Sequence, residues 1–167
     1  NEGIDFAIFL TGKFENNTSS YLKSIIKKGD IIFDIGANIG AHTMPMAKSV
    51  GKKGIVHAFE PTKFAFNKLS KNISLNPILS NRIIANQMML TDKKNKKPEP
   101  KLYSSWPFEE KLQEHKKHCG SMQSTEGCKS QTLDQYVIDN KISKLKLIKL
   151  DVDGFEIEVL MGAKNVL

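Results

Sequence analysis

Arginine is almost absent from this chain. Arg82 is the single one among 167 residues, although the formal net charge is +7. Basic proteins that grip nucleic acid lean on arginine's planar fork for bidentate contacts. Here the charge sits in scattered lysine pairs, such as Lys27-Lys28, Lys52-Lys53 and Lys116-Lys117. Such pairs read as solvated surface, and no nucleic-acid partner is expected. Cysteine is also scarce. Cys119 and Cys128 are the only two, which excludes a disulfide framework and makes a reducing cytoplasm the default compartment. No apolar run approaches the ~20 residues that a membrane-crossing helix needs. Asn1 to Asp5 lack the basic start of a secretory signal, and the chain does not open on Met, as an excised domain would not. No repeat of solenoid length is visible.

What remains is an ordinary globular composition, 40% hydrophobic and 26% charged, long enough for one domain over residues 1–167. Ile31 to Ile35 is a short apolar run that ends in glycine, read as a buried strand. A helical pattern follows from about Ile39 to Ser49 until Gly51 and Gly54 break it. Ile55 to Phe59 is a second buried strand, stopped by Pro61. Thr62 is placed to cap a helix running to about Leu75. Arg82 to Met89 reads as a third strand, Leu133 to Asn140 as a short helix and Leu145 to Leu150 as a further strand. A last helix is expected from about Phe155 to Lys164. Strands alternating with helices predict an α/β fold with a parallel, Rossmann-like sheet.

The stretch from Thr91 to Gln131 breaks that rhythm with lysines and Pro98, Pro100 and Pro107. It reads as an insertion holding a hairpin, with Lys101-Leu102-Tyr103 as one arm and the stretch before Leu133 as the other. Its place on the ligand side makes it a candidate substrate lid, with Tyr103, Trp106 and Phe108 as an apolar inner surface. His115, His118, Cys119 and Cys128 fall there too, but their spacing matches no familiar zinc pattern, and no metal is assigned.

The chemistry concentrates in Asp34-Ile35-Gly36-Ala37-Asn38-Ile39-Gly40, between the first strand and its helix. Gly36 permits a sharp turn and close ligand approach, Gly40 lets the new helix pack, and free amides at the helix start suit polar or anionic groups. Glu60, twenty positions on at the end of the second strand, is placed to accept ribose hydroxyls. The glycines are spaced G-x-x-x-G around Asn38, which disfavours the close pyrophosphate approach of a dinucleotide site. Asp34 can hold a cationic amino group such as the methionyl end of S-adenosylmethionine. Met88 and Met89 end the third strand where an adenine can lie, or simply fill the core. His42 reads as helix surface and His57 as a core histidine.

"DIGANIGAHT", "HAFEPT", "NKLSKNISLN", "TLDQY" and "LIKLDVDGFEIEVLMGA" together resemble the successive motifs of FkbM-type methyltransferases. The resemblance runs from about Gly29 to Leu167, apart from the segment after Asp92. It implies a class I fold in which Asp34, Gly36, Asn38 and Gly40 line the cofactor loop and Glu60 holds the ribose. It places Asp151, Asp153 and Glu156 on the family's D-x-E-G-x-E signature, with Asp153 in place of the usual glutamate. Asp151 and Asp153 are then the candidates for taking a proton from a hydroxyl acceptor, at the strand end where open sheets place ligands. The rival role for these acids is to cap the next helix. A fold of this class has seven strands, about four of which are accounted for by Leu150, so the remainder is expected beyond Leu167. The reaction implied is S-adenosylmethionine-dependent methyl transfer to a hydroxyl of a small molecule or saccharide. A non-catalytic cofactor-binding module and, further off, an NAD-dependent oxidoreductase are the alternatives.

Overall fold

A computed structural model describes residues 3–104 and 120–167. Its centre is a four-stranded parallel sheet of β1 (Ile31–Ile35), β2 (Ile55–Phe59), β3 (Ile83–Asn86) and β8 (Leu145–Leu150), in the order β3-β2-β1-β8. The strand order reverses between β1 and β8, and a crevice at such a switch point is where doubly wound sheets bind ligands. The parallel α/β expectation holds.

Side-chain alternation sorts the strands into two faces. Ile32, Val56 and Ala58 turn toward α2 (Asn16–Ile25), α3 (Thr43–Val50) and α4 (Lys63–Ser74), where Met46, Ala47, Val50 and Leu69 complete an aliphatic core. Phe33, Ile35 and Phe59 turn the other way, onto Leu133 and Tyr136 of α6 (Leu133–Asp139) and Val159 of α7 (Glu156–Met161). The helix α1 (Gly3–Thr11) precedes α2, and the one-turn α5 (Pro77–Ser80) follows α4. Neither α1 nor α2 was foreseen. No helix among the described residues is long and apolar enough to cross a membrane.

Several expected boundaries shift for identifiable reasons. The helix after β1 starts at Thr43 rather than near Ile39, because Gly36, Asn38 and Gly40 all have positive φ (79°, 48° and 93°). Pro45 fits the first turn, where no amide partner is needed. The third strand is interrupted at Gln87. Up to Asn86 it pairs with β2. Beyond Gln87, β4 (Met88–Leu90) pairs in parallel with β7 (Lys129–Gln131). The hairpin's first arm is β5 (Lys101–Ser104), as expected. Its partner is β6 (Ser121–Ser124), whereas the residues immediately before Leu133 belong to β7. Thr62 does sit at the N-cap of α4, but its side chain makes no capping bond. Thr132 does cap α6, accepting from the Gln135 amide at 3.2 Å.

Candidate functional site

A cavity of about 660 Å³ opens at the C-terminal ends of β1, β2 and β8, within the range of ligand pockets. Gly36, Ala37, Asn38, Glu60, Met88, Lys149, Asp151 and Asp153 line its sheet side. Lys101–Ser104, Gly120 and Met122 line it from the hairpin, and Ile4, Phe14, Glu15 and His42 from a third side. Six of the eight residues singled out in the sequence therefore meet in one cavity. Asp34 and Gly40 do not line it.

The glycine loop is tied down from within. Gly36 and Ala37 donate their amides to the Phe59 carbonyl at 3.0 and 2.9 Å, and Gly40 donates to Ala37. Asn38 donates to Glu60 Oε2 at 3.0 Å, and Ile39 to the Asn38 side chain at 2.8 Å. The amides expected to be free for an anionic ligand are thus spent inside the protein from 36 to 40. The two glycines also serve other neighbours than expected. A Cβ on Gly36 would lie 1.8 Å from the Asp151 carbonyl oxygen, so the close approach there is the chain leaving β8. A Cβ on Gly40 would meet Leu69 of α4 at 2.8 Å.

Glu60 braces this loop. Its Oε1 accepts from the Thr62 amide at 2.9 Å and from the Thr62 hydroxyl at 2.5 Å. With Asn38, that occupies three of the about four acceptor positions of a carboxylate. Burial raises the Glu60 carboxyl above its ordinary value, opposed by the bonds from Thr62 and Asn38 and by the charge of Lys149. Thr62 also bonds Ser104 at 3.2 Å, joining the hairpin to the acid.

Lys149, which the sequence reading passed over, is the electrostatic centre of the sheet side. Its Nζ donates to the Gly36 carbonyl at 3.0 Å and lies 3.4 Å from Asp34 Oδ1 and 3.5 Å from Asp151 Oδ2. Asp34 is wholly buried. Its Oδ2 accepts from the Thr43 hydroxyl at 2.6 Å, and Oδ1 has no hydrogen-bond donor among the described residues. Asp34 therefore acts on the cavity through Lys149. The signal was present: a carboxylate inside a buried strand requires a partner.

Asp151 and Asp153 follow the end of β8 and both reach the cavity. The chain bends sharply after Val152. Asp153 has φ 49° and Gly154 φ 104°. Glu156 opens α7 and folds back to accept the Val152 and Gly154 amides, both at 3.1 Å, which fixes the turn.

His42 is not helix surface. It is buried at 6% exposure, its Nε2 donates to Glu15 Oε2 at 3.1 Å and its ring lies 5.7 Å from that of Phe14. His57 is a core residue as expected, with Nδ1 2.8 Å from the Tyr136 hydroxyl. Cys128 is half-buried, and burial pushes its thiol up to about 11. Trp106, Phe108, His115, His118 and Cys119 lie outside the described residues.

A family model described as "Methyltransferase FkbM domain" matches residues 34–167. The chain is 27% identical to "Hexuronic acid methyltransferase AglP" of Haloferax volcanii, a match covering 84% of this chain and 53% of that protein. It is 26% identical to "Methyltransferase sdnD" of Sordaria araneosa, covering 78% and 59% respectively. A solved SAM-dependent O-methyltransferase from Thermotoga maritima superposes with a TM-score of 0.45 and 23% identity, over 56% of this chain and 37% of that one. The chain spans just over half the length of the curated relatives it matches.

Proposed function

The chain belongs to the FkbM methyltransferase family, and we propose that it binds S-adenosylmethionine in the strand-end cavity and serves methyl transfer to a hydroxyl of a small molecule or saccharide. One observation carries this reading over a dinucleotide site. The amides of residues 36–40 all have partners inside the protein, so no phosphate cradle is left there, while Glu60, Asp151 and Asp153 outnumber Lys149 on the sheet side and leave that surface acidic on balance. Such a surface suits a cationic nucleoside and repels a pyrophosphate.

The residues fit that cofactor. Glu60 has about one acceptor position left for a ribose hydroxyl. Asp34 and Lys149 set the charge behind the loop, and Asp151 is the carboxylate they leave facing the cavity. Met88 supplies an apolar surface for a base. When bound, the cofactor supplies an electrophilic methyl group on a sulfonium centre. Asp151 or Asp153 takes the proton of the acceptor hydroxyl, and the cavity walls align the acceptor. The Haloferax relative's name supports a saccharide acceptor. The hairpin β5–β6 covers the cavity on the acceptor side, and a reducing cytoplasm is the proposed compartment for a chain with two cysteines.

Calorimetry with S-adenosylhomocysteine tests the site. Glu60→Ala should weaken binding about tenfold or more, from the loss of about 1.5–3 kcal/mol of hydrogen bonding to a charged acceptor. Unchanged affinity, or stabilisation by NAD instead, would sink the assignment. Asp151→Asn and Asp153→Asn should each slow turnover at near-native cofactor affinity, and full activity in both rules out their catalytic role. Binding without turnover on any hydroxylated acceptor points to the non-catalytic module. Hydrogen exchange in the same samples should show Tyr103 protected only when ligand is bound. Protection that follows protein concentration instead assigns the hairpin to a subunit contact.

A further inference from the structure

Most of the cavity's third side, Ile4, Phe14 and Glu15, comes from outside the family match. Phe14 and Glu15 precede residues 34–167, yet they line the same cavity as Glu60 and Asp151. They are held there by His42, which lies inside the match. Its ring packs against Phe14 with centroids 5.7 Å apart, and its Nε2 donates to Glu15 Oε2 at 3.1 Å. The imidazole is buried at 6% exposure while the Glu15 side chain stays 47% exposed, so the carboxylate is the more accessible of the two where both line the cavity.

Stability does not account for this arrangement. Glu15 has φ 45°, a left-handed conformation that a glutamate adopts only against steric resistance. His42 Nδ1 is buried with no hydrogen-bond partner among the described residues, which is a further cost. A carboxylate on a strained backbone, the buried imidazole that holds it and an aromatic ring, all lining one cavity, form a binding arrangement.

We propose that Phe14, Glu15 and His42 form the acceptor subsite, and that it takes an uncharged polyhydroxylated ring. Phe14 packs on the C–H face of the ring, whose partial positive charge suits an aromatic face. Glu15 accepts a ring hydroxyl. His42 is a positioning residue that fixes the carboxylate. The carboxylate also disfavours an anionic ring, which sets this acceptor apart from the hexuronic acid in the Haloferax relative's name. Phe14 and Glu15 lie ahead of the matched span, so the groups that touch the acceptor sit apart along the chain from the cofactor residues. The proposal rests on the methyltransferase reading for what the bound ring undergoes, though not for whether the ring binds.

Saturation-transfer NMR on the full chain, with methyl α-D-glucopyranoside as probe, tests it with and without S-adenosylhomocysteine. The wild type should bind the glucoside at least tenfold tighter than methyl β-D-glucuronide. Glu15→Ala and Phe14→Leu should weaken the glucoside at least tenfold while calorimetric affinity for S-adenosylhomocysteine stays within twofold. Glu15→Gln, which keeps one acceptor oxygen, should recover part of the loss, and His42→Gln should weaken the glucoside less than Glu15→Ala. No glucoside binding by the wild type overturns the proposal, as does equal binding by Glu15→Ala, or a parallel fall in cofactor affinity. Failure of the wild type to bind S-adenosylhomocysteine overturns the methyltransferase reading instead, and the glucoside arm run without it still decides the subsite.

Discussion

The two faces of the central sheet bury polar groups in opposite ways. The face toward α2, α3 and α4 is aliphatic and holds a charged pair, Asp34 with Lys149, at the strand ends. The face toward α6 and α7 is aromatic. Phe33, Phe59, His57 and Tyr136 meet there edge to face, with centroids 4.7 to 5.8 Å apart. It holds an uncharged chain in which His57 meets the Tyr136 hydroxyl and Tyr136 donates to Asn86 at 3.3 Å. A charge at a strand end still influences a ligand, whereas a charge in mid-strand would have only a desolvation cost. The neutral network holds the sheet together and the charged pair serves the cavity.

Three measurements can break or sharpen that contrast. The largest effect is expected from Lys149→Met, which leaves Asp34 buried and unpaired. Chemical denaturation should show a loss of about 3–5 kcal/mol, and adding Asp34→Asn should return most of it. A loss no greater than that of a neutral-network variant would mean that the two faces are equivalent. Next comes His57, whose pKa burial lowers to about 4 from an ordinary 6.5. The unfolded chain takes up this proton near pH 6.5 and the folded chain only near pH 4. The stabilisation is therefore complete above 6.5 and lost as pH falls through that window. It amounts to at most about 3 kcal/mol. Denaturation midpoints in urea between pH 7 and 4 should fall accordingly, and His57→Gln should flatten that fall. A wild type with no slope there would show that the aromatic face admits water. The smallest effect is expected from Tyr136→Phe, about 1–2 kcal/mol, because it removes the hydroxyl between His57 and Asn86.

The buried strand was legible in Ile31-Ile32-Phe33-Asp34-Ile35, because a short apolar run bounded by glycine marks a strand covered on both faces. The glycine loop and Glu60 were legible for a similar reason, since strand, turn and acid are adjacent in sequence or one crossover apart. Lys149 was not. In Leu145–Leu150 two lysines interrupt an apolar strand on opposite faces, and only the packing shows that Lys149 meets Asp34 while Lys146 is exposed. The break at Gln87 escaped for a comparable reason. The residues on both sides favour strand, and the change of neighbour from β2 to β7 is a tertiary event. His42 and Glu15 are 27 positions apart, and nothing local announces their pairing.

The left-handed backbone at Asp153 has a consequence for substitution. A φ of 49° is open to asparagine as readily as to aspartate and is closed to β-branched side chains. Exchange to asparagine therefore reads out charge alone, whereas exchange to valine would also displace the turn that carries the acid.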